Sequence, residues 1–158
     1  MIPKNSVLYA TDLEEIQTIA FSFSVPFYYT SNLMYKATTR AGRIWVRKEE
    51  QVTRLQEHIK SKIRDLGIKT PEDIYCYSSC VAFCSGKYDW IVNDGTKLRT
   101  FDLTNIFKVV EDGIFDGLDI NDALGVFNCQ SKSILPKEIE CPPHYIAVML
   151  TFYRLKPR

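Results

Sequence analysis

Five apolar residues, Val52, Leu55, Ile59, Ile63 and Leu66, are spaced three, four, four and three apart. That spacing puts them on one stripe of a 3.6-residue helix and allows no other regular structure. The residues between them are polar, among them Arg54, Glu57, His58, Lys60, Lys62 and Arg64. Glu50 and Arg54 form an i, i+4 pair of favourable polarity. Gly67 stands where a left-handed residue would end the helix. Lys62 and Arg64 in the last turn suit the helix dipole, and His58 falls on the solvated side. A helix of this kind needs a sheet under its apolar stripe.

Immediately before it lies Arg43-Ile44-Trp45-Val46-Arg47, which reads as a strand. Alternation places Arg43, Trp45 and Arg47 on one face and Ile44 and Val46 on the other. A Trp between two arginines can stack on a base while the guanidiniums reach phosphates. It can equally pack against the sheet while the arginines reach past it into water. Charge is concentrated here. Residues 31–70 hold ten Lys and Arg against four acids, although the whole chain carries only +1. The candidate binding residues are therefore Arg40, Arg43, Trp45, Arg47, Lys48, Lys60, Lys62 and Arg64. Residues 109–131 hold five acids, Glu111, Asp112, Asp116, Asp119 and Asp122, and no Lys or Arg. One patch of each sign suits head-to-tail self-association as well as an external partner.

The rest of the chain supplies the sheet. Thr11-Asp12-Leu13-Glu14 has the form of a capping box, so a helical turn is expected over 12–17. From Ile19 to Tyr29 the large apolar residues alternate with small ones, which predicts a half-buried strand, and Pro26 bends or ends it. Residues 31–42 read as a polar loop closing at Gly42. Ile74 to Cys84 alternates again, with Tyr75, Tyr77, Val81 and Phe83 on a bulky face and the cysteines on a small-residue face under the helix. Lys87–Val92 and Thr96–Phe101 flank Asn93-Asp94-Gly95, a hairpin signal. Asp102 is placed to cap a helix over Leu103–Asp112 that Gly113 stops. A second short helix is expected after Asp119, with Ile120, Ala123, Leu124 and Phe127 as its apolar side. Lys132 to Pro143 reads as a loop, and Tyr145–Leu155, apolar on both faces, as a central strand. The expected fold is α+β: a single domain over 1–158, mostly antiparallel sheet, with one long amphipathic helix and two short helices packed on one face. A length of 158 residues with 46% apolar composition suffices for one core.

Motifs for chemistry are sparse. Cys76, Cys80 and Cys84 are four residues apart. In a strand that spacing separates the sulfurs by about 13 Å, too far to share one ion. Cys129, Cys141 and His144 offer three possible zinc ligands without an evident fourth. The acidic loop from Asp112 to Asp122 lacks the oxygen positions of an EF-hand. No phosphate-binding or dinucleotide Gly-rich turn is present, and no cofactor is implied. Cys84-Ser85-Gly86, with His144 opening an apolar strand sixty residues later, resembles the papain-like NlpC/P60 hydrolases. The resemblance covers only these few residues. It implies a Cys84 nucleophile activated by His144 and a helix beginning at the cysteine. The chain departs from that family at Phe83, where an acidic residue is usual, and after Gly86, where a hairpin is expected.

Five cysteines in no disulfide-like spacing, and no apolar leader, lead to the expectation of a cytoplasmic or nuclear protein rather than a secreted one. Ile19 to Tyr29 is too short to span a bilayer. The expectation leans away from an enzyme and toward an interaction or assembly protein whose partner is itself or another protein. The alternatives are nucleic-acid binding through the basic strand and helix, and thiol hydrolysis.

Overall fold

The computed structural model describes residues 12–33, 35–85, 91–92, 97–98, 103–134, 138–142 and 144–157. Strand β1 spans Leu13–Ser24, β2 Tyr35–Arg40 and β3 Arg43–Lys48, followed by helix α1, Glu50–Asp65. Strand β4 spans Cys76–Ser85, and Ile91–Val92 and Lys97–Leu98 form the two-residue strands β5 and β6. Helix α2, Leu103–Leu118, precedes β7, Gly125–Ile134, and β8, Tyr145–Leu155.

The main sheet has the order β1-β8-β4-β7. The apolar last strand is central, as its two-sided pattern predicts. Alternation divides the sheet sharply. Tyr77, Val81 and Phe83 of β4 and Ile146, Val148, Leu150 and Phe152 of β8 are buried in one cluster with both helices. Helix α1 buries Val52, Leu55, Gln56, Ile59 and Ile63. Leu66 is 47% exposed, because the helix ends at Asp65 and Gly67 turns the chain away with φ +62°. Glu49 caps the other end, its carboxylate accepting from the Gln51 N–H at 2.6 Å. His58 is half-buried, with Nε2 3.2 Å from the Ser24 carbonyl, where a solvated ring was expected.

The fold is α+β, but the expected single long helix with two short ones is incorrect: two 16-residue helices pack together. The sequence suggests a stop at Gly113, yet α2 runs through it to Leu118. A Cβ on Gly113 would lie 3.0 Å from that of Ile59, and one on Gly117 2.9 Å from that of Ile63. These glycines let the helices approach closely; they do not end one. The second expected short helix is a single 3-10 turn, Asp122–Leu124, and Phe127 lies in β7. That strand occupies part of the expected 132–143 loop and pairs parallel to β4, so the sheet is not wholly antiparallel. A parallel neighbour needs a crossover, and α2 provides it.

Three further expectations are corrected. The 12–17 helical turn is strand, because Leu13 to Ser24 pairs along β8 with a bulge between Glu15 and Gln17. Half of the 31–42 loop is β2. The small-residue face of β4 is turned away from the helices, which cover the bulky face because it offers more apolar area. The β5–β6 ladder fits the expected hairpin, whose turn lies outside the described residues.

Candidate interaction surface

Strands β2 and β3 form a sheet of their own, and every residue of both is exposed. Their register closes with Arg40 opposite Arg43 around Ala41-Gly42. Both turn residues have positive φ, +51° and +73°. That is the geometry of a two-residue type I′ turn, whose twist matches the strands it joins. Six residues of extended chain make an arm about 20 Å long.

Paired residues share a face, so the register sorts the arm into two unlike surfaces. One carries Lys36, Thr38 and Arg40 from β2 beside Arg47, Trp45 and Arg43 from β3. The other carries Tyr35, Ala37 and Thr39 beside Lys48, Val46 and Ile44. Trp45 is 58% exposed, and with Thr38, Arg40, Ala41 and Arg43 it lines a recess of about 630 Å³. Trp45 therefore does not pack into the core. Arg40, Arg43 and Arg47 make no ion pair among the described residues. Lys36 is anchored instead: its ammonium sits 2.9 Å from Glu49, the capping residue of α1. This hydrogen bond holds the Glu49 carboxyl below its ordinary range, against the opposing effect of burial. The ion pair ties the root of the arm to the helix.

The other basic candidates lie elsewhere. Lys48 faces the second side of the arm, and its Nζ donates to Gln56 Oε1 at 2.8 Å. Lys60 contacts Glu57 at 3.1 Å and Asp116 at 3.9 Å. Lys62 and Arg64 are exposed in the last turn of α1. A 16-residue helix is about 24 Å long, so the structure separates the arm from the helix end rather than joining them. Comparison with protein-family models and with curated proteins finds no match. Residues that sequence reasoning left out are Lys36 and Thr38, which complete the basic face. Their signal was present in the alternation of Tyr35–Arg40 running into Ala41-Gly42.

The acidic stretch is largely answered within the chain. Lys108 Nζ lies 2.9 Å from Asp112 and 3.8 Å from Asp122. Lys48, Asp112, Asp116 and Asp122 also line one recess, bringing the two signs together. Glu111 is buried beside them, and desolvation raises its carboxyl above the ordinary range.

The thiol and metal candidates do not converge. Cys84 is buried on the face of β4 away from the helices, where burial raises its thiol and Sγ contacts the Ala82 carbonyl at 3.7 Å. The His144 ring packs edge-on against Tyr28, which packs in the same way on Phe83, a residue of the opposite, helix-covered face. Cys129 pairs with Cys80 in mid-strand, whereas His144 precedes β8 near the level of Cys84. Four residues of strand put about 13 Å between those levels. No cluster of three His, Cys, Asp or Glu suited to a metal occurs among the described residues, and no helix there is long and apolar enough to cross a membrane.

Proposed function

We propose that this chain is an interaction protein whose contact element is the β2–β3 arm and whose partner is a nucleic acid. The observation that carries this reading is the composition of one face: Lys36, Arg40, Arg43 and Arg47 surround an exposed Trp45. Three of these cations lack an internal counterion among the described residues, so neutralising phosphates costs them no existing ion pair. A two-stranded ribbon fits the major groove of a duplex, and an exposed indole offers a stacking platform for an unpaired base. Charge also argues for this partner over a second copy of the chain. Of the acids that a second copy would present, Asp112, Asp116 and Asp122 are already engaged by Lys60 and Lys108.

The test is anisotropy of labelled single-stranded and duplex DNA and RNA, titrated from ~50 mM salt upward. Three phosphate contacts, from Arg40, Arg43 and Arg47, predict a plot of log K against log salt with a slope of about −2 to −3. Arg43→Ala should reduce that slope by about 0.9, with affinity falling similarly across sequences. Absence of binding at low salt, or binding unaffected by combined alanine substitution of Arg40, Arg43 and Arg47, would overturn the proposal. Sedimentation of the same variants covers the competing outcome. Oligomers that dissociate when the arm is altered, with no nucleic-acid binding, would mark the arm as a self-assembly element.

A further inference from the structure

The sheet face away from the helices holds a groove of about 480 Å³, lined chiefly by small residues of all four strands. Across its floor the register sets three sulfurs in a row. Cys129 of β7 is opposite Cys80 of β4, and Cys80 is opposite Met149 of β8. Neighbouring residues in one row point to the same side of a sheet. Cys129 is exposed, Cys80 half-buried and Met149 46% exposed, so the row is open to solvent.

We propose that Cys80, Cys129 and Met149 form a site for a soft monovalent metal ion of the Cu(I) class. Strand spacing supports an ion over a disulfide. Adjacent strands lie about 4.7–4.9 Å apart, and side chains rising side by side keep their Cβ atoms near that separation. A disulfide needs Cβ atoms about 3.8 Å apart, so closing one would pull the strands together. Two sulfurs bound trigonally to one ion at about 2.3 Å are roughly 4 Å from each other, a spacing the parallel pair provides without distortion. The thioether of Met149 can turn toward the same point, since its chain is flexible. The remaining lining favours soft metals by exclusion. Ala20, Ser22, Ala82, Ser131 and Ala147 offer neither carboxylate nor imidazole to a harder ion. The site is independent of the arm and of the nucleic-acid reading.

The experiment is titration of the reduced full chain with Cu(I) against a chromophoric Cu(I) chelator, following the thiolate-to-metal ultraviolet band. One ion should bind per chain. Cys80→Ser and Cys129→Ser should each abolish competition with the chelator, while Met149→Leu weakens it by about tenfold, as befits one weak thioether donor. Cys141→Ser, which lies outside the row, should bind as the unaltered chain does. Circular dichroism of Cys129→Ser, a change at an exposed position, separates loss of the site from loss of the fold. No competition by the reduced chain, or competition that survives Cys80→Ser and Cys129→Ser together, overturns the proposal. Mild oxidation yielding a Cys80–Cys129 disulfide in good yield without distortion of the sheet would also count against it.

Discussion

The β2–β3 arm and the β8 strand both place branched apolar residues at alternate positions, and these residues meet opposite fates. In β8, Ile146, Val148, Leu150 and Phe152 lie under two helices and are at most 3% exposed. In the arm, Ile44 and Val46 are 74% and 65% exposed although they alternate just as regularly. A two-stranded ribbon has no third strand and no helix to bury either face, and such a ribbon alone is marginal in water. The comparison teaches that alternation specifies a strand but not its burial. The main sheet carries stability, and the arm is held in place by its turn and by the Lys36–Glu49 ion pair at its root.

The largest expected effect falls on the main sheet. Phe152→Ala should destabilise the chain by about 3–5 kcal/mol in denaturant unfolding. Trp45→Ala should leave that transition within about 0.5 kcal/mol, as for a surface change. Its effect should appear in binding instead, with nucleic-acid affinity falling by about 1–3 kcal/mol. If Trp45→Ala unfolds the chain as Phe152→Ala does, the contrast between the regions is broken. Gly117→Ala tests how tightly the two helices meet. Its methyl would enter the space of Ile63, and the net cost should be about 1–3 kcal/mol despite the gain in helix propensity.

Smaller effects should be confined to the arm. Ala41 holds a left-handed conformation that costs a Cβ-bearing residue about 1 kcal/mol, so Ala41→Gly should slow amide exchange in β2 and β3 without moving the global transition. The smallest effect is the acid response of Glu49. Its folded-state carboxyl titrates below its ordinary value, so the ionised form stabilises the arm root above the unfolded-state value. That contribution should be lost as pH falls through the lowered folded-state value. Glu49→Gln should make exchange of the arm amides insensitive to pH in the acid range, once intrinsic exchange is corrected for.

Much of the core was legible because period alone decides it. The α1 stripe and the β8 strand need only one-dimensional spacing, and both stand where the spacing placed them, apart from Leu66, which lies past the helix end and is exposed. Residues near Gly113 misled because a glycine in a helix has two meanings. It can end the helix, or it can admit a neighbour, and only the position of Ile59 distinguishes them. Tyr35–Arg40 was obscured because a strand whose residues are all exposed lacks the apolar face that marks the others. The basic face was therefore only half visible, with Trp45 and its arginines apparent but Lys36 and Thr38 missing.

By itself the sequence determined the amphipathic helix, the central apolar strand and the concentration of positive charge before that helix. Each follows from local spacing and composition, which need no knowledge of neighbours. The tertiary structure alone decided which faces are covered. It paired β2 with β3 out in solvent, turned the cysteine face away from the helices, and brought the acids against Lys60 and Lys108. Those outcomes depend on strand order, register and crossover, contacts between residues far apart in the chain that no local pattern encodes.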